Sequence, residues 1–329
     1  MRTDIIVEKW DQLAEFLISY KLKNLDASTF PARVDLPYPI RLPIYERSVS
    51  VEYVMVERRY STRKLPHLVN LVSEKGEEKR YVFKENDNMA MDAAIMALLV
   101  RANQIWRLRQ CPAWTRTYDV VATADSSGFC ELIPGFTLLS VSNEEILGLL
   151  GYSSTHWERF YHSMIGAMVV TAAFDITDRH ENNMLFVPDG DVALIDLSCS
   201  LGNRNPLDVM MHINPVYFPL RLRRVFETYQ EATKERVVSE KIGSKTWNQV
   251  EEDAMMSYYA LFNDSELSDL LRKADYRMPT PMNFLKAYHN RRFTTKERCE
   301  KMRNGICKSM EDSERVTKVI STLAKTLPG

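Results

Sequence analysis

The sequence predicts an α+β fold of two lobes, a small β-rich N-terminal lobe followed by a larger helical one. Three observations predict it. β-like runs cluster between Ser48 and Ile133 around one long amphipathic stretch, the chain beyond Pro134 reads as mainly helical, and one short strand pair interrupts those helices. At 329 residues, 45% hydrophobic and 26% charged, the chain has apolar material for such a core and matches globular rather than disordered or fibrous proteins.

Taken in order, residues 1–45 read as an N-terminal extension, 46–133 as the first lobe and its hinge, 134–300 as the second lobe and 301–329 as a helical tail. Ser48 to Glu57 places Val49, Val51, Tyr53 and Met55 on one face at period two. Leu68 to Val72 and Arg80 to Lys84 are further β-like runs, joined by a turn at Ser73 to Glu77. From Met89 to Gln110 the pattern turns helical, with Met91, Ile95, Leu98, Ala102 and Ile105 on the face expected to meet the strands. Tyr118 to Thr123 and Phe129 to Ile133 are β-rich again, and Pro134-Gly135 marks the lobe boundary. Helices follow at Asn143 to Leu150 and around Met164 to Phe174, the latter apolar enough to require burial. Asn183 to Val187 and Val192 to Leu197 form a hairpin about the turn Pro188-Asp189-Gly190-Asp191. A final amphipathic helix carries Val316, Ile320, Leu323 and Leu327 behind a cap at Asp312 or Ser313.

Lys plus Arg total 43 against 44 Asp plus Glu, so no overall positive field points to nucleic acid. Cys111, Cys130, Cys199, Cys299 and Cys307 contain no C-x-x-C pair, which argues against a zinc site or disulfide framework and favours a reducing compartment. No segment has the roughly 20 apolar residues of a membrane span, so the expectation is an intracellular protein.

Chemistry concentrates in Asp178-Arg179-His180-Glu181-Asn182-Asn183, the hairpin, and Ile195-Asp196. A polar loop directly after a buried helix, with an Asp at the far end of a hairpin, brings both hairpin ends to one site. Phosphoryl transfer needs oxygen ligands for Mg²⁺, a group to orient the attacking hydroxyl, and donors against the phosphate charge. Asn183 and Asp196 supply the oxygens; Asp178 accepts the nucleophile's proton; His180 donates to the phosphate or shares the base role; Arg179 completes the catalytic loop or simply holds it. Either tripeptide alone is more often a solvated loop or a turn cap; their joining by this hairpin favours function.

In this order and spacing the residues resemble the catalytic domains of the phosphatidylinositol 3-/4-kinase superfamily, which carry D-R-H-x-x-N followed by a metal-binding Asp. The resemblance spans about Ser48 to Arg224. It implies the bilobal protein-kinase-like fold, with ATP and Mg²⁺ or Mn²⁺ as cofactors. Ser61-Thr62-Arg63-Lys64-Leu65-Pro66-His67-Leu68 is similar to the phosphate-binding loop, with Ser61 and Lys64 as phosphate contacts. Lys84 matches the ATP-binding lysine, and Asp92 falls where the family's L-R-Q-D ends. A lone strand-end lysine is usually a snorkelling surface residue, but Lys84 follows a Ser-containing loop and precedes Asp92, which favours the ATP contact. Asp92 holds its ammonium, with Asp87 as the second choice. Glu131, Leu132 and Ile133 resemble the hinge, the last two lining the base. Phe218 to Leu222 is similar to the segment that closes the activation region, although a solvated helix face remains the ordinary reading of Arg221, Arg223 and Arg224.

Within the superfamily the phosphate loop, the T-Y-x-V-V strand and the paired asparagines lean toward the PI3K-related protein kinases of DNA-dependent type. That implies a Ser/Thr hydroxyl on a protein substrate, a larger DNA-repair or signalling assembly, and a nuclear location. A lipid kinase is the alternative, disfavoured because Cys199 to Phe218 contains only Arg204 among Lys and Arg. Thr177 and Ser198 stand where the family usually has Gly, Leu197 where it has Phe, and Met89-Ala90-Met91 precedes Asp92. These departures imply either a divergent enzyme or a weakened, nucleotide-binding scaffold.

Overall fold

A long antiparallel sheet in the computed structural model is built by the first half of the chain. The structure describes residues 2–44, 47–62, 64–124, 126–151, 153–203, 219–240, 245–262 and 264–276. The chain divides into two compact units, Met1–Met96 with Tyr118–Ile133, and Ala97–Thr117 with Pro134–Gly329.

In the first unit helix α1 (Arg2–Ser19) precedes strands β1 (Ala32–Ile44), β2 (Arg47–Arg59), β3 (His67–Ser73) and β4 (Glu78–Lys84). Helix α2 (Ala90–Leu108) begins here and continues into the second unit, and β5 (Val120–Thr123) and β6 (Ser127–Glu131) complete a sheet of order β1-β2-β3-β4-β6-β5. Trp10, Leu13, Ala14 and Leu17 recur at helical spacing along α1 and are buried with Val54, Val56, Val69, Leu71, Tyr81, Phe83 and Phe129. The Trp10 ring lies 5.3 Å from Tyr81 and 5.0 Å from Phe129. Each such large side chain contributes about 1.5–3 kcal/mol through burial.

Residues 1–45, read as an extension, therefore supply α1 and β1 to this unit. β1 contains Pro37, Pro39 and Pro43, which hide a strand from pattern reading because proline cannot donate to a ladder. It is an edge strand, where that loss is tolerated, and its register with β2 shifts between Asp35 and Ile40. The predicted face of β2 also needs correction. Val51 is buried, but the core side then passes to Val54 and Val56, because a register shift between Val51 and Tyr53 moves the later side chains to the other face. β3 and β4 lie as expected, with the Ser73 hydroxyl accepting from the backbone N–H groups of Lys75 and Glu77 in the turn between them.

The second unit contains the rest of α2, a short sheet of β7 (Phe136–Thr137), β8 (Met184–Phe186) and β9 (Val192–Leu194), and helices α3 (Asn143–Leu150), α4 (Ser154–Ala173), α5 (Leu220–Glu240), α6 (Trp247–Phe262) and α7 (Ser265–Tyr276). Ser142 and Glu145 form a reciprocal capping box that starts α3. α4 begins at Ser154, earlier than the apolar run implies, with the Ser153 hydroxyl capping His156 N–H. Its C-terminal half is buried almost all round, and it packs on α6, β9 and α3. Trp157 stacks on Tyr229 at 4.2 Å, Tyr161 donates to Asp253 at 2.6 Å, and Trp106 donates to the Ser257 carbonyl at 2.9 Å. Asn103 grips Thr115 through its carbonyl and N–H, while Trp114 N–H donates to His162 O. That strap crosses α4 at Gly166, where a Cβ would stand 1.8 Å from the Trp114 carbonyl oxygen, so only glycine admits it.

Among the described residues no helix is long and apolar enough to cross a membrane. The expected helix with Val316, Ile320, Leu323 and Leu327, its cap at Asp312 or Ser313, Cys299, Cys307, Arg204 and Phe218 lie outside the described residues.

Candidate functional site

In the second unit the chain leaves α4 at Phe174 and turns through Asp175, whose φ is 48°. Thr177 fixes the next step, its N–H donating to the Cys199 carbonyl at 2.8 Å and its hydroxyl at 3.2 Å to the same atom. Arg179 then binds the site together. It is 2% exposed, and its guanidinium donates to the carbonyls of Thr177 at 2.9 Å, Asn183 at 3.2 Å, Ile195 at 2.7 Å and Asp196. Ile195 N–H also donates to Asn183 O at 3.1 Å. The start of the first hairpin strand and the end of the second are thus one hydrogen-bonded body, as the spacing predicts. A planar fork of donors suits this task, since buried carbonyls without partners are costly. Arg179 acts as a positioning residue whose donors reach backbone.

Asp178 and His180 lie on the rim of this body, with His180 Nε2 3.9 Å from Asp178 Oδ1. Asn183 is 9% exposed and its amide Nδ2 donates to Asp178 O at 2.9 Å, with Oδ1 as the acceptor of the same amide. Asp196 is exposed at φ 54°, and the Ser198 hydroxyl donates to its Oδ1 at 3.2 Å. The left-handed backbone falls on Asp178, φ 59°, and Asp196, and on neither Thr177 nor Ser198. Aspartate tolerates that region better than most side chains. Thr177 and Ser198 therefore carry none of the left-handed strain that a side chain in place of glycine can bring. Leu197 is fully buried.

Asp191 holds the hairpin's turn. It is 0% exposed and accepts from Arg116 at 3.1 Å and from both Arg159 Nε, at 3.1 Å, and Arg159 Nη2, while Asp189 receives the same two arginines. Those carboxylates raise the pKa of Arg159 further, chiefly through the hydrogen bonds it donates to Asp191. Gly190, at φ 102°, brings the turn so close to α4 that a Cβ would lie 2.3 Å from the His156 carbonyl oxygen. Sequence reasoning missed Arg116, Arg159 and Asp191 because each pair is distant along the chain; the turn's two aspartates were the available signal. Arg221 donates to the Leu138 and Val141 carbonyls and, at 2.6 Å, to Asn143, and sits 3.7 Å from Glu181. It pins α5 beside α3. Burial pushes the Glu181 carboxyl up, and Arg221 opposes that shift. Arg223 pairs with Glu227 at 2.7 Å and lies over the Trp247 ring.

In the first unit, Ser61 and Lys64 are exposed on the loop between β2 and β3. Lys64 Nζ lies 2.5 Å from Asp87 Oδ1, and Lys84 Nζ lies 3.8 Å from Asp87 Oδ2. Asp87, the second choice from sequence, lies beside Lys84, and Asp92 is 2% exposed in the first turn of α2. Asn86, at φ 57°, reverses the chain so that Asp87 returns beneath Lys84. At the expected hinge, Glu131 accepts from Lys79 at 2.6 Å and from Asp119 N–H at 3.0 Å, so its carboxylate braces the sheet edge. Leu132 N–H donates to Arg80 O, and Ile133 is 7% exposed. Burial, with Glu131 beside it, raises the Asp119 pKa.

Among the described residues no group of three or more His, Cys, Asp and Glu is arranged to hold a metal. Asn183 and Asp196 offer instead one amide and one carboxylate oxygen, a hard donor pair that fits a magnesium ion completed by phosphate and water oxygens.

No family model matches the chain. Over 149 residues, 41% of this chain and 17% of the relative, it is 26% identical to the phosphatidylinositol 3-kinase VPS34 of Saccharomyces cerevisiae. Over 146 residues, 40% and 18%, it is 27% identical to the phosphatidylinositol 3-kinase VPS34 of Arabidopsis thaliana, and over 137 residues, 37% and 12%, 26% identical to a phosphatidylinositol 4-kinase of Dictyostelium discoideum. The matched stretches span less than a fifth of these relatives' length. The chain is distantly homologous to the catalytic domains of phosphatidylinositol 3- and 4-kinases, and its β-sheet followed by helices is consistent with their kinase-like fold. These relatives are lipid kinases, so the DNA-dependent protein kinase type, DNA repair and a nuclear location find no support in them.

Proposed function

We propose that the chain is an ATP- and Mg²⁺-dependent phosphotransferase of the phosphatidylinositol 3-/4-kinase kind, acting on an inositol-lipid headgroup. The observation that carries the reading is the Arg179 clamp, which joins the D-R-H-x-x-N loop to the backbone of Asp196. A solvated surface loop has no need of a buried guanidinium bound to carbonyls on either side of a hairpin.

In this reading Lys84, Lys64 and Ser61 hold the phosphates of ATP, and Leu132 and Ile133 line its base. Asn183 and Asp196 hold the divalent ion, which when bound supplies charge neutralisation between the phosphates. Asp178 orients the acceptor hydroxyl and takes its proton as the new P–O bond forms and the bond to the β-phosphate oxygen breaks, releasing ADP. His180 donates a hydrogen bond to the transferred group or shares the base role. The lipid acceptor follows from the relatives being phosphatidylinositol kinases. A protein Ser/Thr hydroxyl is the second reading, favoured by the scarcity of positive charge in Cys199 to Phe218.

The test is the purified chain with labelled ATP and Mg²⁺ or Mn²⁺, offered phosphatidylinositol vesicles and protein substrates side by side. Lipid labelling that Asp196→Ala lowers by about 10²-fold or more is the expected result. Labelling of protein alone moves the assignment to the second reading. Nucleotide binding with no transfer to either acceptor makes the chain a scaffold and defeats both.

A further inference from the structure

Asp87 touches two ammonium groups from different segments, Lys64 on the loop and Lys84 at the end of β4. The carboxylate is nearly buried, with 11% side-chain exposure against 53% for Lys64 and 15% for Lys84. The closer ion pair is the one to the exposed side chain, Lys64. The 60–66 loop is otherwise closed at its neck by Tyr60 N–H on Pro66 O and by Leu65 N–H on Thr62 O. Leu65 sits at φ 48° and 36% exposed, a strained conformation for a branched side chain that a single turn of loop has to sustain. Among the described residues, Lys64 on Asp87 ties the loop to the body of the unit.

We propose that Asp87 is an exchangeable latch: without nucleotide it holds Lys64 and keeps the loop down, and a bound polyphosphate takes Lys64 from it while Lys84 stays in place. The inference rests on the ATP-binding reading above. A phosphate oxygen and a carboxylate oxygen are interchangeable partners for an ammonium, so exchange conserves the charge-assisted bond while the anion gains both lysines. The geometry favours Lys64 as the one that moves. Lys84 is shielded and strand-bound; Lys64 reaches Asp87 from solvent on a flexible stem. Asp87 is thereby a positioning residue that acts through the two lysines and repels the phosphate it prepares for.

Latch and fixed brace make opposite predictions for Asp87→Asn, which keeps shape and removes charge. Hydrogen exchange of the 60–66 backbone is measured without nucleotide, and affinity for Mg-ATP and for inorganic triphosphate is measured by calorimetry. The latch predicts exchange about fivefold faster in Asp87→Asn and in Lys64→Gln, no further increase in the double variant, and wild-type exchange in Asp87→Glu. It also predicts tighter nucleotide binding in Asp87→Asn, by about three- to tenfold, and weaker binding in Lys64→Gln. Unchanged loop exchange in both single variants overturns the latch. Faster exchange with weaker binding in Asp87→Asn also overturns it, since Asp87 is then a brace. Should Asp87→Asn fail to fold, Asp87→Glu and the exposed Lys64→Gln carry the same comparison. If the wild-type chain binds neither ligand, the nucleotide reading and the exchange fall together, whereas binding with unaltered loop exchange sinks only the latch.

Discussion

Lys64, Lys84 and Asp87 in the first unit and Asp178, Asn183 and Asp196 in the second are held by different forces. Lys64 and Lys84 meet one carboxylate through ionic contacts at 2.5 and 3.8 Å, and Lys64 is more than half exposed. Asp178, Asn183 and Asp196 hang from a backbone that a buried arginine ties at four carbonyls. Ion pairs open to water are weak and exchange partners readily, whereas buried donors on carbonyls have no competing solvent. The difference teaches that the first set is adjustable and the second preset, and under the proposed function the first meets a polyphosphate of variable pose and the second a metal of fixed geometry.

The largest effect should come from breaking the preset part. Arg179→Ala orphans several buried carbonyls, and at ~1–3 kcal/mol for each unsatisfied group a loss of about 3–5 kcal/mol is expected in urea denaturation. Arg179→Lys recovers little of it, because one ammonium cannot span the four acceptors. Near wild-type midpoints for both variants would mean that the loop is organised by something other than the clamp.

A smaller effect sharpens the comparison by asking how dry the first unit is beside the loop between β2 and β3. His67 is 1% exposed with Nε2 unpartnered, and burial holds its pKa below the ordinary 6.5, with Arg59 and Lys23 acting in the same direction and Glu85 and the Leu22 carbonyl against it. The folded state therefore refuses a proton that the unfolded chain accepts. Its contribution is fully present above about pH 6.5 and is lost as pH falls toward and below the lowered value. Urea midpoints should drop between pH 7.5 and 5.5, and His67→Gln should lessen that drop without abolishing it, since His162 in the second unit is lowered by burial in the same way. An identical drop in His67→Gln would show that this imidazole is not shielded.

The smallest effect should come from Arg223→Ala, which removes a partly exposed pair with Glu227 and the contact over Trp247. The expected change is below about 1 kcal/mol, with no change in phosphoryl transfer. A large loss of activity there would make Arg223 a substrate-binding group.

Much of this arrangement is readable from residue order, and the unread parts have physical reasons. Strands β3 and β4, the amphipathic α2 and the capped α3 announce themselves because local pattern and tertiary role agree. β1 does not, because prolines mask it, and the far face of β2 does not, because a bulge breaks period two. The start of α4 is polar, so its apolar half alone is visible. At the site, the joining of Asn183 to Ile195-Asp196 follows from hairpin length. The place of Asp87 beside Lys84 depends on the reversal at Asn86, a backbone event that composition does not display. The arginines on Asp191 come from 32 and 75 residues away, beyond the reach of any local motif.

The prolines of β1 have a consequence for how the protein behaves in company. An open sheet edge thirteen residues long offers a template on which a second chain can add strand to strand and begin an aggregate. Pro37, Pro39 and Pro43 delete donors along that rim and the irregularity between Asp35 and Ile40 bends it, so a stranger finds an interrupted ladder it cannot extend.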